Sequence, residues 1–283
     1  MTPAPFIVGV GRSGTTLLRL MLDAHPALAI PGETHFLHHL AKQGDVSRAQ
    51  FMEIVTKSET WENFVLDTQS LAAAVDALAP FSLTEAIRAF YRLYASGKGK
   101  PRWGDKTGFY LRSMEAIQRL LPEAHFIHVI RDGRDNALSR QGLWFGPGDD
   151  FEALARLWVD GIQAARAQAG ALMHYREVRF EALVAHPQDT LGRICADLHL
   201  AFDPAMLDYH ETASERLAEY KRSFGPADRT PSDLATFMSI HERVQAPLDE
   251  TRVGRWRSEM KPEDRARYEA IAGPLLRELG YET

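Results

Sequence analysis

Apolar residues fall along this chain in two kinds of pattern. Short, nearly continuous runs rich in β-branched residues occur at Phe6–Val10 and Ala124–Ile130 (AHFIHVI), with shorter ones within Pro101–Lys106 and Met173–Phe180. Such runs predict strands, and the unbroken Ala124–Ile130 predicts a central parallel strand buried on both faces. Helical periodicity marks the other kind. It predicts helices over Thr15–Ala24, over Phe109–Leu121 up to Pro122, from an N-cap at Asp132 to about Gln141, and over Phe151–Gly170. Two helices follow the 173–180 strand. A last helix opens at Pro262 and Glu263 and ends near Leu279, with Gly280 at its C-cap position. Residues 42–100 read as several amphipathic helices, broken around Pro80–Ser82 and ended by Ser96-Gly97-Lys98-Gly99. QGLWFGPGDD, residues 141–150, reads as a loop, and the weakly periodic residues 220–250 as loop with a short helix. Strands alternating with helices predict an α/β fold, a three-layer sandwich with a central parallel sheet and helices on both faces. With no repeat, low-complexity tract or linker, one domain over 1–283 is expected, with 42–100 as a helical insertion.

Composition narrows the field. A net charge of −5 and a pI near 6.1 argue against a general nucleic-acid or anionic-membrane binder. An anion site must therefore be a local concentration of positive charge. The helical stretch 42–100 carries seven basic and seven acidic residues, so it sets up no strong field of its own. The single cysteine, Cys195, excludes an internal disulfide and fits a reducing compartment. No run approaches the roughly 18 apolar residues of a membrane span, and MTPAPFIVGV reads as the lead-in to a first strand rather than as a signal peptide. The expectation is a soluble, cytoplasmic protein with no membrane or nucleic-acid partner; oligomeric state is not legible.

The first strand runs into G-V-G-R-S-G-T-T from Gly9, against the phosphate-loop pattern G-x-x-x-x-G-K-[ST]. Both glycines and Thr16 are in place, and strand–loop–helix is the context such a P-loop needs, but Thr15 stands where the lysine belongs. Backbone N–H groups at a helix N-terminus receive phosphate and sulfate alike. Phosphoryl transfer from a nucleoside triphosphate needs lysine and magnesium as well. The apolar strand FIHVI is followed by Arg131 rather than by a magnesium-binding aspartate. A sulfuryl group, carrying less charge, suits Arg12, threonine hydroxyls and a helix dipole without metal. RDGRDNALSR (131–140) puts Arg131 at a strand end and Ser139 two turns along the next helix, where the two grip one further phosphate. That implies a ligand with two separate anionic groups, and 3′-phosphoadenosine 5′-phosphosulfate is one such molecule.

On these residues the chain resembles sulfotransferases that use that donor, most of all the tyrosylprotein branch and its bacterial relatives. VGVGRSGTTLLRLMLDAHPALAIPGETHFL resembles the family's 5′-phosphosulfate loop, and HFIHVIRDGRDNALSR its 3′-phosphate segment. WGDKT, VRFEALVAHP and VGRWR resemble further family segments in order. The resemblance implies that Arg12, Ser13, Gly14, Thr15 and Thr16 hold the 5′-phosphosulfate and that Arg131 and Ser139 hold the 3′-phosphate. It implies that Phe180, where the family often has tyrosine, lies near the adenine, and that Arg255 helps close over the donor. Gly254 stands where the tyrosylprotein branch has serine. Glu33 matches the catalytic base and Lys106 a basic residue aimed at the sulfate, so Glu33, Arg12 and Lys106 form the implied catalytic set.

The mechanism that follows has Glu33 take the proton of an acceptor hydroxyl, which attacks sulfur in line with the departing phosphate. Simpler readings stand beside these: Glu33 as a first-turn carboxylate of a helix starting at Thr34, Lys106 as a surface residue beside Asp105, Phe180 as core. Asp132 and Asp135 read as helix-start residues only. His35, His38 and His39 have helical spacing but no metal-site pattern. No metal is expected, and His35, two residues after Glu33, is placed in the acceptor pocket. The acceptor is a hydroxyl on a phenol, alcohol, sugar or peptide tyrosine. The alternatives are a P-loop kinase or nucleotide hydrolase, or a non-catalytic nucleotide-binding module.

Overall fold

The computed structural model describes residues 1–143, 146–221, 239 and 241–282. Strands β1 (Ala4–Val8), β4 (Asp105–Lys106), β5 (Ala124–Ile130) and β6 (Tyr175–Arg179) form one sheet in the order β4-β1-β5-β6, every pair parallel. Two shorter strands, β2 (Leu28–Ala29) and β3 (Arg102–Trp103), pair separately. The helices are α1 (Thr15–Asp23), α2 (Phe36–Lys42), α3 (Arg48–Thr56), α4 (Thr68–Asp76), α5 (Leu83–Gly97), α6 (Met114–Leu120), α7 (Gly133–Arg140), α8 (Phe151–Ala169), α9 (Phe180–Ala185), α10 (Pro187–Asp197) and α11 (His210–Ala218). A short helix, Trp256–Glu259, and a C-terminal one, Pro262–Glu278, complete the described set. None of the described helices is long and apolar enough to cross a membrane.

Alternation along the strands builds two cores. Phe6, Val8, Phe126 and Ile130 point into one, which also holds Tyr91, Trp158 and Leu276 from α5, α8 and the C-terminal helix. Ile7, Ile127 and Val129 point into the other, against Leu18, Leu183 and Ile194 of α1, α9 and α10. Continuous apolar sequence thus becomes a sheet covered on both sides, the three-layer α/β sandwich expected. Phe6 is fully buried and meets the rings of Tyr91, Trp103 and Phe126. Truncating it to alanine should cost about 3–5 kcal/mol.

Three segments depart from expectation, each for a local reason. The first strand stops at Val8 instead of Val10, because Gly9 turns to donate its amide to Gly108 O at 3.1 Å. Its hydrogen side chain permits this turn, since a Cβ would stand 2.7 Å from Val129 O. Pro101–Lys106 is two strands rather than one: at Gly104, whose amide bonds Ala29 O at 3.0 Å, the chain passes from the small pair to the main sheet. Phe109–Leu121 begins as a 3₁₀ turn (Gly108–Arg112) before α6, and this turn holds the buried Tyr110 hydroxyl against Thr34 and Leu37. Residues 222–238 and 240 of the weakly periodic stretch lie outside the described residues, as do Trp144 and Phe145. The rest of that stretch contains 3₁₀ turns at Glu242–Gln245 and Glu250–Arg252.

Candidate active site

In the sheet Ile7 lies opposite Ile127 and Val8 opposite His128, so the turns after β1 and β5 leave the same carboxyl end of the sheet, where parallel α/β sheets receive ligands. After β1 the backbone takes positive φ at Arg12 (71°) and Gly14 (98°) before entering α1. A Cβ on Gly14 would come within 2.4 Å of the Phe180 ring, so conformation and space both demand glycine there. The N-terminus of α1, whose first amides lack intrahelical acceptors, opens on a cavity of about 450 Å³ walled by Arg12, Gly14, Thr15 and Thr16. Ser13 is turned away from it. Its hydroxyl is buried and accepts from Asn136 Nδ2 at 3.2 Å, and the same amide holds Gly11 O at 2.9 Å.

The turn after β5 supplies the facing wall. Arg131 and Ser139 line the same cavity, and Arg12 Nε donates to Ser139 Oγ at 3.2 Å. The Arg131 guanidinium donates to Arg12 O (3.4 Å) and Arg252 O (2.7 Å) and lies 4.7 Å from the Phe180 ring centre. Burial, and then repulsion from Arg131 and Arg140, lower the Arg12 pKa to about 10. Burial and the nearby Arg255, Arg243 and Arg131 lower Arg252 to about 10 as well. Leu17, Val184, Tyr209 and Leu248 give the wall an apolar part, and Ser239, His241 and Asp249 line it as well. Several cations and an apolar surface in one cavity suit a ligand with anionic groups attached to a flat organic body. Phe180 serves both sequence readings: it is 7% exposed in the second core and also forms cavity wall.

Arg255 does not line this cavity. From its short helix it pairs with Glu259 one turn on, and Arg252 and Arg243 take the wall position instead. Asp135 is more than a helix-start residue. It is 1% exposed, and its carboxylate accepts from the amides of Gly254 (2.7 Å) and Trp256 (2.9 Å), tying the VGRWR segment to α7. Gly254 has φ 75°, a conformation that favours glycine.

Glu33 and Lys106 come together across 73 residues of sequence. Thr34, fully buried, donates its amide to Thr107 Oγ1 (3.0 Å) and its hydroxyl to Asp105 Oδ2 (2.7 Å). Those bonds pin the Glu33 backbone beside β4, and Lys106 Nζ meets Glu33 Oε1 at 2.9 Å. Lys106 is 2% exposed, so it is no surface residue. Helix α2 starts at Phe36, after His35 at φ 56°, so Glu33 precedes the helix instead of decorating its first turn. Burial pushes the Asp105 carboxyl up to about 6 against hydrogen bonds from Thr34 and Tyr91. For Glu33, burial acts upward too, but Lys106 and His35 outweigh it and hold the carboxyl well below the usual range.

His35 Nε2 meets Glu33 Oε2 at 3.1 Å and its Nδ1 meets Glu59 Oε1 at 2.8 Å. Burial opposes charge on this ring, but the two carboxylates raise its pKa. With both nitrogens facing carboxylates, the protonated ring is favoured. His35 and His39 also line a second cavity of about 570 Å³ with Phe109, Lys57, Glu53 and Glu59. His38 turns instead to Ser113 at 2.7 Å. Among the described residues, no group of three or more His, Cys, Asp or Glu side chains is arranged to hold a metal.

Sequence reading did not single out four residues that the structure places here: Asn136, Asp135 in its tethering role, Tyr220 and His241. Asn136 lies one turn before Ser139 in the sequence and so was within reach of helical spacing. Tyr220 and His241 carry no such signal.

A model of the sulfotransferase family matches residues 3–204. The chain is 26% identical over 289 residues to protein-tyrosine sulfotransferase A of Caenorhabditis elegans, covering 99% of this chain and 68% of that protein. It is 26% identical over 317 residues to nodulation protein NoeE of Sinorhizobium fredii, covering 100% of this chain and 67% of that one. Among solved structures, the sulfotransferase domain from the curacin biosynthetic pathway superposes with a TM-score of 0.66 at 21% identity, over 100% of this chain and 99% of that one. The sulfotransferase domain from the Synechococcus PCC 7002 olefin synthase does so with a TM-score of 0.63 at 21% identity, over 99% and 95%. At that identity the likeness is one of fold.

Proposed function

The chain belongs to the sulfotransferase family and transfers a sulfuryl group; from that premise we propose that its donor is 3′-phosphoadenosine 5′-phosphosulfate and that Glu33 is the base acting on the acceptor. The observation that carries the donor reading is that one cavity is lined by the turn after β1, the turn and helix after β5, and Phe180. Arg12, Thr15 and Thr16 at the α1 N-terminus face the 5′ group, Arg131 and Ser139 the 3′-phosphate, and Phe180, Val184 and Tyr209 the base. Such a bound donor supplies a sulfur centre already activated by its phosphate leaving group. Arg12 and Lys106 stabilise the charge that develops on transfer.

Glu33, as the base, accepts a proton from the acceptor oxygen as that oxygen bonds to sulfur. A carboxylate held this low is a weak base, so the reading favours an acceptor whose hydroxyl is itself acidic. A phenol, near pKa 10 like the tyrosine side chain, fits better than an aliphatic alcohol. The acceptor then enters through the cavity of His35, His39 and Phe109. In that wall Lys57 is bonded to Glu53 at 2.6 Å, and His35 lies between Glu33 and Glu59. Cations already committed in this way support an acceptor without acidic flanks.

The test is a thermal-shift titration with 3′-phosphoadenosine 5′-phosphate against ATP plus magnesium. At 100 times its dissociation constant the bisphosphate should stabilise the fold by about 2.7 kcal/mol. A shift with ATP–magnesium alone would overturn the donor reading and favour a kinase or hydrolase.

A further inference from the structure

Beside the Glu33–Lys106 pair stand two aromatic rings to which the mechanism above gives no work. Tyr220 follows α11 and is 6% exposed; His241 is 8% exposed and stacks on it, the ring centres 5.8 Å apart and the planes within 10°. Lys106 Nζ lies 5.5 Å from the centre of the Tyr220 ring, and the fully buried Arg19 guanidinium also 5.5 Å. On another side the ring rests on Gly32, the residue before Glu33, where a Cβ would stand 2.9 Å from Tyr220 Cε1. His241 lines the donor cavity with Arg12 and Thr15. One two-ring stack therefore touches the lysine, the backbone that carries the base and the wall of the donor cavity.

The stack is anchored from behind. Glu219, next in sequence to Tyr220, accepts from Lys98 Nζ (2.6 Å), Tyr94 Oη (3.2 Å) and Arg19 Nη2 (3.5 Å). Charged groups face His241 from several elements: Arg12 from the loop after β1, Arg19 from α1, Glu33 from the segment before α2 and Lys106 from β4. Burial, then Lys106 and Arg12, hold its imidazole down to about 3. Stacked flat on Tyr220 and 8% exposed, the ring fills space where water would otherwise sit.

Sulfuryl transfer has a competing reaction. A water oxygen attacks sulfur, the sulfur–oxygen bond to the phosphate breaks, and the released protons go to solvent, leaving inorganic sulfate and the bisphosphate. Excluding water from the reacting centre suppresses it. Resting on the donor reading above, we propose that the Tyr220–His241 stack is the partition that keeps water from the reacting sulfur, with Gly32 left bare of a side chain so that the ring can seat over the Glu33–Lys106 pair. Both rings are positioning residues.

The experiment measures sulfate release from the saturating donor with no acceptor present. Tyr220→Ala should raise that rate at least about tenfold while the bisphosphate thermal shift persists, and His241→Ala should raise it likewise at saturating donor, because an opened site admits water. Tyr220→Phe, which keeps the ring, should stay within about twofold of wild type. A merely structural role would lower the rate along with the fold. Gly32→Ala keeps both rings and displaces one, so it answers the question even where an alanine variant fails to fold. Rates at or below wild type in variants that still take the bisphosphate overturn the partition and leave the donor reading intact. A wild-type protein that shows no shift with the bisphosphate overturns both.

Discussion

The two sides of the site treat charge in opposite ways. On the donor side, Arg12 lies near Arg131 and Arg140, and Arg252 near Arg131; burial first, and then neighbouring cations, lower the proton affinity of Arg12 and Arg252. Arg131 spends its donors on backbone carbonyls, and Arg12 gives its Nε to a hydroxyl. On the acceptor side, Lys106, Glu33, His35 and Glu59 form an unbroken alternation of opposite charge, and Lys57 closes on Glu53. Cations gather on the donor side, whereas on the acceptor side each charge has a neighbour of opposite sign. A ligand carrying several negative charges therefore gains most on the donor side. The acceptor side rewards a group that slides in without breaking a pair.

The largest expected effect comes from breaking the acceptor-side alternation at its centre. Glu33→Gln should cut turnover by roughly 10²–10⁴-fold, the usual worth of a positioned base, with bisphosphate affinity nearly unchanged. It also leaves Lys106, 2% exposed, without its carboxylate. The ligand-free variant should accordingly melt below wild type, and part of that loss should return when the bisphosphate supplies the missing negative charge. Turnover within a few-fold of wild type would remove Glu33 from the role of base.

A smaller effect probes the donor side. Arg131→Ala removes a buried cation from the crowd, so the ligand-free fold should be little affected. The bisphosphate, however, should bind roughly 10- to 100-fold more weakly, matching the loss of about 1.5–3 kcal/mol for hydrogen bonds to a charged group. Isothermal titration of both proteins decides it. If affinity is unchanged and stability falls instead, Arg131 is a structural residue and the contrast between the two sides fails.

The same contrast explains what was legible in the sequence. The donor side is built within two short stretches, residues 6–24 and 124–141, where apolar runs, glycines and a cap define strand–turn–helix locally. Arg12, Arg131 and Ser139 could therefore be placed from spacing alone. The acceptor side is assembled from distant segments. Glu33 meets Lys106 only because Thr34 bonds Asp105 and Thr107 across the chain, and no periodicity encodes that, so resemblance had to supply the pair. The simpler reading of Glu33 as a first-turn carboxylate did not foresee the positive φ at His35, after which the helix starts. The pairing of Arg255 with Glu259 one turn on was likewise not anticipated. Tyr220 and His241 lie in weakly periodic sequence, where only packing reveals what a ring does.

The finest test of the alternation is its outermost member. Glu59 is 63% exposed, so its pair with His35 is worth only a few tenths of a kcal/mol to about 1 kcal/mol. Its sign can still be worked out. His35 titrates higher in the fold than in the unfolded chain, opposed by burial but raised by Glu33 and Glu59. A group of that kind contributes stability that is fully present below its unfolded pKa, about 6.5, and lost as pH rises through its folded value. Glu59→Gln keeps a hydrogen-bond acceptor and removes the charge, so the folded pKa of His35 should fall back towards the ordinary one. The variant should then melt below wild type at pH 6, with the difference shrinking as pH rises and vanishing once His35 is neutral in both proteins. Melting temperatures of the pair from pH 6 to 9 measure this. A difference that does not change with pH would mean that Glu59 acts on His35 by shape alone, and the chain of alternating charge would end at His35.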